Sequence, residues 1–116
     1  MTLAFELDRA SILDRLGGDE EIYAMMVDMF VQDIENNCTA LAAALAAGEP
    51  ATLQREAHTV KGLLASFSDT SGSEVALDVE YKAKQGETTS LADKVAWLQQ
   101  RLREVSAVLV ADLAAR

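Results

Sequence analysis

Apolar residues recur along this chain at three- and four-residue spacing, the period of helices that bury one face. Five helices can be marked by it. A short first helix covers about Arg9 to Leu16, capped by Asp8 and stopped by Gly17-Gly18. The second starts near Asp19 and runs to about Ala47, with Ile22, Met26, Met29, Ile34, Cys38, Leu41 and Leu45 as its apolar stripe. Gly48 ends it, and Pro50 suits the first turn of the third, where its missing N–H costs nothing. The third runs to about Phe67 on a stripe of Leu53, Ala57, Val60, Leu64 and Phe67.

Asp69-Thr70-Ser71-Gly72 reads as a loop. Ser71 followed by Glu74 can form a capping box for the fourth helix, which reaches about Gln85 before Gly86. Ser90 followed by Asp93 offers a similar cap for the fifth, whose stripe is Leu91, Val95, Leu98, Leu102, Val105 and Leu109. Four long amphipathic helices with short connections fold most simply as an all-α, antiparallel, up-down-up-down four-helix bundle. The first helix is too short to be a full member and is expected to cover one end. Nothing in the pattern suggests strands, repeats or a second domain, so residues 1–116 are expected to form one domain.

Composition narrows the partners. Nineteen acidic against ten basic residues give a formal charge of −9. Such a surface repels nucleic acid and anionic membrane. No segment approaches the roughly 20 apolar residues that span a bilayer, and the first residues lack the basic start and apolar run of a secretory signal. A lone cysteine, Cys38, cannot form an internal disulfide and falls on an apolar stripe, so a reducing cytoplasm fits.

The chemistry narrows further because the chain has one histidine, His58. Catalysis that needs two histidines is excluded, as are metal sites built on several. On the third helix, residues three and four apart share a face. His58 therefore lines up with Gln54 and Arg55 below it and with Lys61, Gly62 and Ala65 above it, on a stripe rotated away from the core stripe. Gly62 is unusual, since a glycine inside a helix costs about 1 kcal/mol relative to alanine. One turn from an exposed histidine, it removes bulk where another protein could approach. Lys61 puts a positive charge near the imidazole, useful if the ring ever carries a phosphoryl group. The plain alternative is a surface histidine beside an incidental Lys-Gly, and spacing alone leaves both open.

Ala57-His58-Thr59-Val60-Lys61-Gly62 resembles the His-x-x-Lys-Gly signature of histidine-containing phosphotransfer (HPt) domains, the four-helix carriers of phosphorelays. Arg15-Leu16-Gly17-Gly18-Asp19-Glu20-Glu21-Ile22-Tyr23 resembles that family's Gly-Gly-Asp approach to the second helix, and Met29-Phe30-Val31 its Leu-Phe-Leu. Ala44-Leu45-Ala46-Ala47-Gly48-Glu49 resembles the approach to the third helix, and Val79-Glu80-Tyr81-Lys82-Ala83-Lys84-Gln85-Gly86 the Leu-Glu-x-Ala-x-x-x-Gly of the fourth. Four positions depart from the pattern: Leu63 for the usual Ser, Ser68 for a common Gly, Asp69 for a common Ala and Gly72 for a usual Leu.

The resemblance implies that His58 is the phosphoacceptor, that Lys61 balances phosphate charge, and that Gly62 leaves room for a docking receiver domain. It implies that Glu80 bonds the imidazole nitrogen that does not react, fixing the tautomer that leaves Nε2 as nucleophile. The alternative for Glu80 is a solvated charge or a salt bridge with Lys84. Gln54, Arg55 and Ala65 would border the docking face, and Arg55 with Lys61 would form a basic spot for acidic receiver sites, unless Arg55 pairs with a nearby glutamate. Apolar Ile12, Leu13 and Leu16 and the start of the second helix are further contact candidates.

With no glycine-rich nucleotide loop, the chain is expected to be a carrier and not a kinase. It would take a phosphoryl group from a receiver aspartate or a sensor or hybrid histidine kinase and pass it to a response-regulator aspartate. No cofactor of its own is expected, the magnesium ion belonging to the receiver, and a cytoplasmic monomer is the expected form. The rivals are a helical adaptor that docks receivers without phosphotransfer, the phosphoacceptor domain of a chemotaxis-type kinase, and a di-iron bundle, which a single histidine cannot supply.

Overall fold

The computed structural model describes residues 4–116, so the first three residues of the expected 1–116 domain lie outside it. Five helices follow one another: α1 Arg9–Arg15, α2 Glu20–Ala47, α3 Pro50–Ser66, α4 Thr70–Lys84 and α5 Ala92–Ala114. The last four form an antiparallel bundle in which α3 packs on α2 and α4, and α5 on α2 and α4. Among the described residues there is no strand, and no helix is long and apolar enough to cross a membrane.

The stripes of α3 and α5 are buried at every expected position, from Leu53 to Phe67 and from Leu91 to Leu109. In α2 the expected stripe is displaced by one residue in its first half. Tyr23, Val27 and Phe30 face the core, while Ile22 and Met29 are 44% and 63% exposed. Two apolar stripes run side by side there, and the one with the larger rings wins. Phe30 meets Phe67 edge-on at 5.1 Å, and the Tyr23 hydroxyl donates to Asp112 Oδ2 at 3.0 Å. Ile12 of α1 is fully buried in the core and so is not available to a partner, while Leu13 and Leu16 pack against the core and stay half-buried.

The α3–α4 connection is shorter than the expected loop. α4 begins at Thr70, and its cap is Asp69, whose Oδ1 accepts from the Gly72 N–H at 3.1 Å; the Ser71–Glu74 box is not used. At the start of α5 Leu91 occupies the cap without a side-chain bond, so the expected Ser90 cap is absent too. α3 ends with the Asp69 N–H on the Leu64 carbonyl and the Ser68 N–H on that of Ala65. This closure needs a left-handed residue, and Ser68 adopts φ 61° there, in the place where glycine is common. Arg15 braces it, donating to Ser68 Oγ at 3.1 Å and to the Ser66 carbonyl at 2.8 Å.

Asp69 and Gly72 explain each other. The Asp69 carboxylate is buried and forms two bonds with Arg101 of α5, each 2.9 Å, and Arg101 is itself only 4% exposed. The guanidinium also reaches Glu104 Oε1 at 3.2 Å and lies over the Trp97 ring at 5.1 Å. A Cβ on Gly72 would stand 2.0 Å from Asp69 Oδ2 and 2.9 Å from Leu64 Cδ1. The bare glycine is the space in which the carboxylate sits.

Two expectations follow. Gly72→Ala, normally a stabilising change in a helix, should cost about 1–3 kcal/mol by overpacking. Asp69→Ala should cost about 3 kcal/mol by leaving the Arg101 charge buried, and Asp69→Ala/Arg101→Met should recover part of it. Urea denaturation midpoints measure both; a Gly72→Ala protein as stable as wild type would show that no such tight cradle exists.

Candidate functional site

The site is built where α3 and α4 run closest together. Ala57 on α3 and Ala76 and Ala83 on α4 are buried along this seam, and side chains this small let helix axes approach. The approach brings the outer edge of α4 to the edge of α3 that carries His58 and Lys61.

His58 points outward, its side chain 65% exposed. Its Nδ1 lies 2.9 Å from Glu80 Oε2. The other carboxylate oxygen, Oε1, is 2.8 Å from Lys61 Nζ. Glu80 thus joins two residues of the neighbouring helix, and the alternative pairing with Lys84 does not form. Burial raises the Glu80 pKa, but the Lys61 ammonium and the His58 ring beside the carboxylate outweigh it and hold the carboxyl below the ordinary carboxylate range. An ionised carboxylate only accepts. Nδ1 therefore carries the hydrogen in the neutral ring, and Nε2 is left with its lone pair. Among the described residues Nε2 has no hydrogen-bond partner.

The remaining residues on this face surround the imidazole. Gln54 and Arg55 lie one turn back and, with Ala51 and Glu80, line a shallow cleft beside His58. Arg55 forms no ion pair among the described residues, so the alternative pairing with a nearby glutamate does not form and its charge faces solvent. Gly62 and Ala65 are exposed one and two turns on. A Cβ built on Gly62 would meet nothing within 4 Å, so nothing inside the protein requires a glycine there. Lys61 is where spacing placed it, yet its ammonium is committed to Glu80 instead of reaching freely past the ring.

Sequence reasoning missed one further feature. Leu63, the departure from the usual Ser, closes an apolar groove with Met26, Met29, Phe30 and Phe67 between α2 and α3. The displaced α2 stripe hides it, because periodicity puts Met29 on the core face, whereas it is exposed. Three apolar residues in one turn and a half of helix, Met25, Met26 and Met29, were the available signal.

The Glu80 pairing has a pH signature. A carboxyl held below its ordinary value stabilises the fold above about pH 4.3, and that contribution is lost as pH falls through the lower folded-state value. Glu80→Gln should therefore melt below wild type near neutral pH, and the gap should close as the pH falls through the lowered folded-state value. A gap of the same size at both pH values would detach Glu80 from the ion-pair role.

Comparisons with known proteins agree with this architecture. The Hpt domain family matches residues 25–108. Among solved structures, histidine-containing phosphotransfer protein B (HptB) from Pseudomonas aeruginosa PAO1 superposes with a TM-score of 0.86 at 23% identity, over 98% of this chain and 99% of that one. The HPT domain of the Hpt sensor hybrid histidine kinase from Shewanella superposes with a TM-score of 0.82 at 15% identity, over 95% of each chain. No curated protein matches the chain. With most of its length matched, the chain belongs to the Hpt domain family, the phosphotransfer carriers of two-component signalling.

Proposed function

We propose that residues 1–116 form one phosphorelay carrier domain with His58 as the phosphoacceptor. The observation that supports it best is the 2.9 Å contact between Nδ1 and a carboxylate held ionised, which leaves an exposed Nε2 lone pair. In the forward step that lone pair forms an N–P bond while the P–O bond to a receiver aspartate breaks, its electrons returning to the aspartyl carboxylate. The proton stays on Nδ1, and the positive charge that develops on the ring faces Glu80. A second receiver's aspartate then attacks phosphorus, the N–P bond breaks, and its electrons return to Nε2. The receiver supplies the magnesium ion and most of the charge stabilisation at phosphorus. A sensor or hybrid kinase can take the place of the first receiver. The chain acts as a cytoplasmic monomer with no cofactor of its own.

The docking face is the surface of α3 around Gly62 and Ala65, bordered by Gln54 and Arg55. Gly62 is the internal evidence. It weakens the helix, yet the fold has empty space for a side chain there. The demand for a bare backbone therefore comes from outside the molecule. Arg55 adds an uncommitted positive charge in a protein of net charge −9, suited to carboxylate-rich receiver sites.

Incubation with phosphorylated receiver domains should put an acid-labile, base-stable phosphoryl group on wild type and none on His58→Gln. Absence of label on wild type with every receiver of the same organism would leave the docking-only adaptor as the better reading. Gly62→Ala separates fold from docking: it should stabilise the protein by about 1 kcal/mol and slow transfer from the receiver. A variant that is more stable and transfers at the wild-type rate would remove Gly62 from the docking face.

A further inference from the structure

We infer that Met25 and Met29 form a reversible oxidation site, at which a peroxide turns two apolar contacts of the docking face into polar ones. The role rests on the docking face around Gly62 and Ala65. The placement of the methionines carries it. The chain holds four methionines, and three of them, Met25, Met26 and Met29, fall within five positions of α2. The displaced stripe of that helix sends Tyr23, Val27 and Phe30 into the core and turns two of the three outward. Met25 is 59% exposed and Met29 63%, while Met26 is half-buried against the core.

Met26 and Met29 line the apolar groove between α2 and α3, whose other wall includes Leu63, Ser66 and Phe67. Met25 stands one turn before Met29 on the same outer side of α2. The groove runs into the docking face without a break, since Ser66 Oγ donates to the Gly62 carbonyl at 2.9 Å. An interface of ordinary size covers about 800 Å² on each partner, a disc roughly 16 Å in radius. A receiver centred on Gly62 therefore covers the groove and its methionines.

Leucine, isoleucine and valine are inert to peroxide, whereas a thioether is not. A sulfur lone pair attacks one peroxide oxygen. The S–O bond forms, the O–O bond breaks, and the second oxygen leaves as water. Sulfur gives up two electrons and the peroxide takes them. The sulfoxide is a polar group, and covering it with an apolar partner surface that offers no donor opposes docking. A dithiol-dependent reductase reverses the step: two thiols become a disulfide, and the oxygen leaves as water. Cys38 does not compete for the oxidant. It is 2% exposed, and burial pushes its thiol pKa up, which keeps it from the reactive thiolate form.

The test treats the protein with hydrogen peroxide, removes the oxidant and titrates the product with receiver domains of the same organism. Peptide mapping should find sulfoxide at Met25 and Met29 before Met26, and circular dichroism melts establish that each protein is folded. Affinity for a receiver that binds the reduced protein should fall about tenfold, and methionine sulfoxide reductases with dithiothreitol should restore it. Met25→Leu/Met29→Leu, compared with itself before and after peroxide, should keep its own affinity, while Met26→Leu should stay as sensitive as wild type. Unchanged affinity in wild type carrying both sulfoxides, or an equal loss in the double variant, would overturn the inference. So would a protein that no receiver binds. Receivers that bind but leave no phosphoryl group on His58 would fail the carrier reading alone, and the affinity ratio would still decide the oxidation site.

Discussion

Two helices approach only as closely as the side chains between them allow. Along the seam of α3 and α4 those side chains are Ala57, Ala76 and Ala83, buried to 1% exposure or less. A valine or leucine at any of them would push α4 outward. A hydrogen bond weakens steeply once its atoms separate by a few tenths of an ångström beyond about 3 Å. The contacts that Glu80 makes at 2.9 Å with His58 and 2.8 Å with Lys61 are therefore set by methyl groups that never meet a partner. Everything at the exposed face depends on that spacing: the ionised carboxylate, the tautomer and the direction of the free nitrogen.

A different force sets the turn at the end of the same seam. There Ser68 adopts a left-handed conformation, the Asp69 carboxylate is buried, and Arg101 of α5 reaches across to it. Burial of an ion pair adds little net stability, because the desolvation of both charges offsets most of their attraction. Its effect is on uniqueness. The guanidinium is matched in two bonds to one carboxylate, and few other arrangements of α3, α4 and α5 would satisfy it. Asp69 in turn caps α4, so the charge that ties α5 to the turn also fixes where α4 begins.

How much of this was legible in the sequence varies by element, for physical reasons. α3 and α5 carry one apolar stripe each, and every stripe residue is buried. α2 carries two adjacent stripes, and periodicity cannot choose between them; the choice was made by ring size and by Asp112, a residue 89 positions away from Tyr23. The burial of Arg101 runs against residue type, since an arginine is ordinarily a surface residue. Its position three residues after Leu98 and four before Val105 nonetheless placed it on the core face, where it needed a partner. At the site, the spacing of His58, Lys61 and Gly62 on one helix could be read directly. Glu80 came from the family resemblance, and the Lys61–Glu80 bond could not be read at all, since it depends on the register between two helices.

The cradle at Gly72 ties two positions of the chain to each other. A Cβ at 72 would lie 2.0 Å from the Asp69 carboxylate, so a side chain at 72 and the buried acid at 69 exclude one another. The two positions are therefore not free to change singly: bulk at 72 needs a small apolar residue at 69, and then the Arg101 guanidinium loses the carboxylate it is bonded to. One turn of backbone thus carries a three-residue dependence that reaches from the end of α3 into α5.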